Sequence, residues 1–100
     1  MIKHIVMWKL KEISCGKGKE ENKAIIKQKL EALKGRIEGL IEIEVGIDFS
    51  CTDSSYDLCL NSVFESRDAL NYYQNHPLHK EIIPFITEAR TERIVVDYEI

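Results

Sequence analysis

The sequence predicts an α+β fold in which a four-stranded antiparallel sheet carries helices on one face. Two segments, 2–10 and 41–49, alternate apolar and other residues with a period of two, which is the pattern of strands with one buried face. Two further segments repeat apolar residues with the period of a helix. Along the 100 residues, the expected order is strand, helix, strand, strand, helix, strand. A chain of this length suits a single domain, here residues 1–100.

The first strand and the first helix have clear apolar faces. In the strand at 2–10, one face carries Ile2, His4, Val6, Trp8 and Leu10. A turn at 16–19 leads into a helix predicted at 19–35. Its apolar stripe consists of Ile26, Leu30, Leu33 and Ile37, with the lysines, including Lys23, expected on the solvent side. Gly35 or Gly39 is expected to mark the end of this helix.

The second and third strands are predicted to form a hairpin. The second strand, at 41–49, has one face made of Ile41, Ile43, Val45, Ile47 and Phe49. A polar connection at 50–55 separates it from a third strand near 56–65. One face of this third strand carries Tyr56, Leu58, Leu60, Ser62 and Phe64.

The remaining elements are a pair of helical segments and a last strand. Ser66 is predicted to cap a short helix. Pro77 suits the first position of a second helical segment that starts near His76. Pro84 inside that segment is expected to kink or break the helix. With a last strand at 93–99, the order is that of the ferredoxin-like fold, in which the helices cover one face of the sheet.

Composition narrows the possible partners and the compartment. The net charge is −3, and lysine and arginine are interspersed with acidic residues, so no nucleic-acid partner is expected. No apolar run approaches the roughly 18 residues of a membrane span, and the N-terminus lacks the layout of a signal peptide. We therefore expect a cytoplasmic protein without membrane contact. The three cysteines lack a metal-like spacing and are expected to be free thiols; no metal or cofactor motif is present.

The helix-free face of the predicted sheet is not wholly polar. It is expected to carry an apolar strip rimmed by Glu42 and Glu44 and made of Ile5, Met7, Cys59, Val63 and Val95. An apolar strip that no helix covers indicates a partner surface. The simplest partner is a second copy packed sheet against sheet, so a homodimer is predicted through this face.

The histidines and one tyrosine are the candidate functional residues. His4 faces the core of a central strand, where it is either a satisfied core histidine or a group lining a pocket. His79 borders the buried stripe of its helix and either reaches a cavity or stays in solvent. The hydroxyl of Tyr73 beside His79 would form an acid and base pair for carbonyl chemistry, although packing alone is the alternative. His76 is expected to act in capping or turn formation, and Trp8 in the core or a cavity wall.

Several segments carry a family resemblance when taken together, namely Lys3-His4-Ile5-Val6, Phe64-Glu65-Ser66, Tyr73-Gln74-Asn75-His76-Pro77-Leu78-His79 and Asp97-Tyr98-Glu99. Over nearly its whole length the chain resembles the stress-responsive dimeric α/β-barrel (Dabb) family. This resemblance implies a homodimer whose sheets pack face to face and a cavity between the sheet and the helices of each subunit. Many members have no assigned activity, whereas one is a polyketide cyclase that performs an aldol closure without an organic cofactor. Related barrel families include cofactor-independent monooxygenases.

The resemblance also implies roles for particular residues. Carried over by motif, the histidine base of the cyclase falls on His79, its tyrosine acid on Tyr73 and its first-strand pocket histidine on His4. The cavity wall is then expected to include the apolar residues Val6, Trp8 and Leu58. The cyclase has a further pocket histidine where this chain has Leu58, which argues against the same substrate.

Three functions remain open at this point. The first is a stress-response-type dimer that binds a small apolar or aromatic ligand, with its activity undefined. The second is a cofactor-independent acid–base enzyme that acts on a carbonyl or polyketide-like compound through His79, Tyr73 and His4. The third is a non-catalytic interaction dimer that uses only its sheet face. Convergence of the three side chains on one cavity would favour the second function over the third.

Overall fold

A computed structural model describes residues 1–100 and contains one main sheet with helices on one face. In chain order the elements are β1 (Ile2–Leu10), β2 (Ile13–Ser14), β3 (Lys17–Gly18), α1 (Lys19–Glu31), β4 (Leu40–Ile47), β5 (Leu58–Phe64), α2 (Arg67–Asn75), α3 (Pro77–Ala89) and β6 (Arg90–Glu99). The main sheet is antiparallel with the order β4-β5-β1-β6, and β2 pairs with β3 in a small hairpin. The predicted ferredoxin-like α+β fold is confirmed. No helix is both long enough and apolar enough to cross a membrane.

The core lies between the helices and one face of the sheet. Alternate residues of β1 and β5 are buried along their full lengths, as the period of two predicts. The predicted stripe of the first helix is also buried, although its last two members, Leu33 and Ile37, lie in the turns that follow α1. The sequence missed the β2–β3 hairpin, where it predicted only a turn.

Two predictions about the first helix are wrong. The helix ends at Glu31 rather than at a glycine, and turns lead from there to β4. Lys23 is not on the solvent side, because it is only 3% exposed. Its long aliphatic stem is buried while its Nζ lies 3.0 Å from Oε1 of the exposed Glu20, which is how a lysine can be buried without losing its charge partner.

The predicted face of the second strand is also only partly correct. Leu40 pairs with Phe64 and Glu42 pairs with Val63, so Ile41 is an extra residue without a partner. This bulge shifts the alternation, and the strand contributes the side chains of Leu40, Ile43 and Val45 to the core. Ile41 is 38% exposed, and Phe49 lies beyond the end of the strand in solvent.

Pro84 does not break its helix, although the sequence predicted a kink or a break there. α3 runs without interruption from Pro77 to Ala89. The backbone bond that Pro84 cannot make would go to the carbonyl of Lys80, and both residues are exposed. Water can therefore satisfy that carbonyl, which reduces the penalty of an interior proline.

The outer face of the sheet differs from the prediction at β6. Val95 pairs with Val6 and therefore lies on the helix-facing side. The residues of β6 that share the outer face with Ile5 and Met7 are instead Ile94, Val96 and Tyr98. These three side chains are exposed. An apolar outer strip is therefore present, and only Val95 of its expected members is wrong, because Ile5, Met7, Cys59 and Val63 do lie on that face.

Candidate functional site

A cavity of about 360 Å³ opens between the sheet and the helices. It is lined by His4, Val6, Trp8, Leu30, Leu60, Tyr73, Gln74, His79, Ile83, Ile86, Thr87, Arg90 and Arg93. Pockets for small molecules have this size and this character, with apolar walls and a few polar groups. The polar groups come from β1, from the end of α2, from α3 and from the start of β6.

His4 is the polar residue that β1 presents to the cavity. The alternation of the strand points its ring inward, and the residue is only 3% exposed. The antiparallel register places Asp97 of β6 directly opposite, and a carboxylate oxygen of Asp97 bonds Nδ1 of the imidazole. Because a carboxylate accepts, Nδ1 carries the hydrogen of this bond and Nε2 is left without a protein partner. The backbone carbonyl of His4 accepts a 2.9 Å hydrogen bond from the hydroxyl of Ser62.

The junction between α2 and α3 is a single residue, His76. Its Nδ1 accepts a 3.0 Å hydrogen bond from the backbone N–H of Leu78, so its imidazole caps α3 as the sequence predicted. Its ring also packs edge-on against Tyr72, with 5.5 Å between ring centroids. The ring of His76 therefore has its partners in Leu78 and Tyr72, and His76 does not line the cavity.

His79 lies in the first turn of α3, on the cavity side. Its Nδ1 is 3.2 Å from the backbone carbonyl of Gln74, which can only accept. The hydrogen is therefore on Nδ1, and Nε2 of the neutral ring keeps a free lone pair. Burial lowers the pKa of His79 from its ordinary 6.5, and the Coulombic effects of His4 and Arg93 lower it further, against the opposing effect of the hydrogen bond to Gln74. The neutral form dominates at neutral pH, so the ring can act as a base.

Tyr73 lies beside His79 and is 0% exposed. Its ring centroid is 4.5 Å from that of His79 and 4.9 Å from that of Phe64. The hydroxyl is buried and has no hydrogen-bond partner in the protein. Burial raises the pKa of this phenol well above its ordinary value of 10. The hydroxyl therefore stays protonated at neutral pH and is a donor without an acceptor.

The family model described as the stress responsive A/B barrel domain, Dabb, matches residues 2–100. The chain belongs to the Dabb family. An uncharacterized protein of Streptomyces coelicolor is 33% identical to this Dabb chain over 100 residues, which cover 99% of each protein.

Solved structures show the same fold. A dimeric protein of unknown function from Bacteroides fragilis, with a ferredoxin-like fold, is 30% identical and has a TM-score of 0.81 over 99% of this chain and 95% of its own. The hydroxynitrile lyase of Passiflora edulis also has a TM-score of 0.81, over 99% of this chain and 92% of its own, at 17% identity. At that identity the likeness shows the fold alone.

The structure brings most of the candidate residues of this Dabb chain together. The members of the predicted set that line the cavity are His4, Val6, Trp8, Tyr73 and His79. Leu58 does not line it. Leu58 pairs with Trp8 at the start of β5 and is packed in the core, whereas Leu60, one inward residue further along, forms that part of the wall.

Sequence reasoning missed several cavity residues. The helical spacing of Ile83 and Ile86 from His79 is a signal that could have found them. The pairing of Asp97 with His4 follows from the register of β1 with β6. That register could not be predicted from the sequence alone. No pattern in the sequence indicated that Arg90 and Arg93 both line the cavity, because their spacing in a regular strand would place them on opposite faces of the sheet.

Proposed function

We propose that this Dabb protein binds a small carbonyl compound in the cavity and transfers protons on it without a cofactor. The observation that carries the proposal is the buried, unpaired hydroxyl of Tyr73 next to the anchored imidazole of His79. Buried polar groups almost always have partners, and a catalytic role is one of the explanations for an exception. A ligand oxygen would supply the missing acceptor.

The roles follow from the protonation states. Nε2 of His79 removes a proton from the carbon alpha to the carbonyl; the electron pair of that C–H bond forms the C=C bond of an enolate, and the π electron pair of the carbonyl moves onto its oxygen. The phenol of Tyr73 donates a hydrogen bond to this oxygen as it becomes negative. His4, held by Asp97, orients the bound compound through Nε2. The apolar walls suit a ligand with an apolar or aromatic body.

Proton exchange in deuterium oxide tests this chemistry without knowledge of the natural substrate. Acetophenone, phenylacetone and cyclohexanone would be incubated with the protein, and loss of the alpha-proton signal followed by NMR. We expect exchange above background, and we expect His79→Gln to slow it by about 10²–10⁴-fold, the usual contribution of one acid–base group.

A matched control separates loss of the base from a general effect of losing a histidine. His76→Asn removes the neighbouring imidazole, which lies outside the cavity, and keeps a residue that caps helices well. This variant should exchange like the wild type. If the wild type bound the ketones without exchange, the protein would be a binding protein only. If His79→Gln exchanged as fast as the wild type, the assigned base would be wrong.

We also propose that two copies pair through the outer face of the sheet. Support comes from the exposed apolar side chains of β6 on that face, with Val96 57% exposed, and from the dimeric relative in Bacteroides fragilis. Light scattering at micromolar concentration should give twice the mass of the chain. Val96→Lys should shift the protein to monomer, whereas the same change at the exposed Ile13, off the main sheet, should not. A monomeric wild type would contradict this pairing.

A further inference from the structure

β6 has an irregular position beside the cavity. Lys9 pairs with Glu92 and Leu10 pairs with Arg90, so Thr91 has no partner on β1. The hydroxyl of Thr91 donates a 3.2 Å hydrogen bond to the carbonyl of Lys9, which holds the extra residue in place. This is a β-bulge, a feature that redirects side chains and is frequent next to functional sites.

The bulge brings two arginines to the same face. In a regular strand, residues three positions apart point to opposite sides of the sheet. The extra residue cancels this alternation, so that Arg90 lies opposite Leu10 and Arg93 lies opposite Trp8. Both of those β1 residues face the core, and both arginines line the cavity.

The cavity is positively charged although the chain has a net charge of −3. Its lining contains two guanidinium groups and no carboxylate. None of the nine ion pairs in the protein involves Arg90 or Arg93. Arg93 is also close enough to His79 for its charge to act on that imidazole. Both guanidinium groups are therefore free of ion pairs in the wall of the cavity, and Arg93 acts on the part of it where His79 lies.

We infer that the ligand of this site is a carbonyl compound that also carries a carboxylate, which Arg90 and Arg93 bind at the edge of the cavity. This inference rests on the proposed function, since it specifies the substrate class of the same site. Guanidinium is the side-chain group best matched to a carboxylate, because its planar donors can form two parallel hydrogen bonds. Binding the carboxylate at the arginines leaves the carbonyl end for Tyr73 and His79.

Matched pairs of acids and amides test the inference by calorimetry at low salt. The probes are para-acetylbenzoate with para-acetylbenzamide, and levulinate with levulinamide; within each pair the shape is nearly the same and only the charge differs. We expect the acid to bind at least tenfold more tightly than the amide in at least one pair. Salt near 1 M should reduce this preference, because screening weakens interactions of partly exposed charges.

Variants assign the preference to the arginines. Arg90→Gln and Arg93→Gln should each reduce the preference, and Arg93→Glu should abolish or reverse it. Arg36→Gln, which makes the same charge change at an exposed site away from the cavity, should leave it intact. Two results would overturn the inference and leave the proposed function standing. One is equal binding of acid and amide to the wild type, and the other is a preference for the acid that survives Arg93→Glu. Failure of every probe to bind at millimolar concentration would overturn both.

Discussion

Replacing Tyr73 by phenylalanine should make the protein more stable and less active. The hydroxyl of Tyr73 is wholly buried and has no partner in the protein. A buried donor left unpaired costs about 1–3 kcal/mol of folding free energy. Tyr73→Phe removes that donor and keeps the ring that packs on Phe64 and His79.

The size of the gain follows from two opposing effects. Removing the donor recovers about 1–3 kcal/mol. The void left by one oxygen costs about 0.5 kcal/mol or less, because a methyl-sized void costs about 1 kcal/mol. The free energy of unfolding should therefore rise by about 0.5–3 kcal/mol, and each 1 kcal/mol raises Tm by roughly 4–8 °C in a domain of 60–100 residues. Loss of the donor to the oxyanion should slow proton exchange by about 10²–10³-fold.

Urea and thermal denaturation followed by circular dichroism measure the change in stability. Tyr72→Phe is the matched control, because the neighbouring hydroxyl belongs to a side chain that is 51% exposed. That control should change the free energy of unfolding by no more than about 0.5 kcal/mol. If Tyr73→Phe instead lowered stability by about 1 kcal/mol or more, its hydroxyl would have a partner in solution, and the argument for an acceptor supplied by the ligand would be refuted.

Two further predictions concern pH and the turn before β4. The pKa of His79 is lower in the folded chain than its ordinary 6.5, so the unfolded chain takes up a proton more readily. The free energy of unfolding should therefore fall as the pH drops below about 6.5. His79→Gln should remove that part of the pH dependence, as measured by urea titrations at several pH values. Gly39→Ala should destabilise by about 1–3 kcal/mol more than Gly35→Ala. Both glycines have positive φ, but only at Gly39 would a new Cβ lie 2.6 Å from that of Ala69, and equal losses would contradict this explanation.

The fold could be predicted because its apolar periods are long and regular. β1 is predicted and found at 2–10, and the order of the main elements follows from similar patterns. The errors lie where tertiary structure overrides a local rule. Pro84 stays in a helix because the carbonyl that it leaves unbonded faces solvent. Ile41 and Thr91 are the extra residues of bulges, and alternation alone cannot reveal an inserted residue.

The candidate site could be predicted in part for the same reasons. Strand alternation points His4 inward, and helical spacing carries His79 to the border of the buried stripe. The charged part of the cavity could not be predicted, because it depends on the pairing of β6 with β1. That pairing places Asp97 against His4 and, through the bulge, both arginines at the edge of the cavity.

His76 and Pro77 make the junction between α2 and α3 short, and the short junction positions His79. Pro77 starts α3 and needs no hydrogen bond at that position. His76 caps the helix with its own ring, so no longer connection is required and α2 is followed at once by α3. This short junction is what brings the ring of His79 to 4.5 Å from that of Tyr73, the preceding helix's last buried side chain. A longer loop would separate the base from the donor on which the proposed chemistry depends.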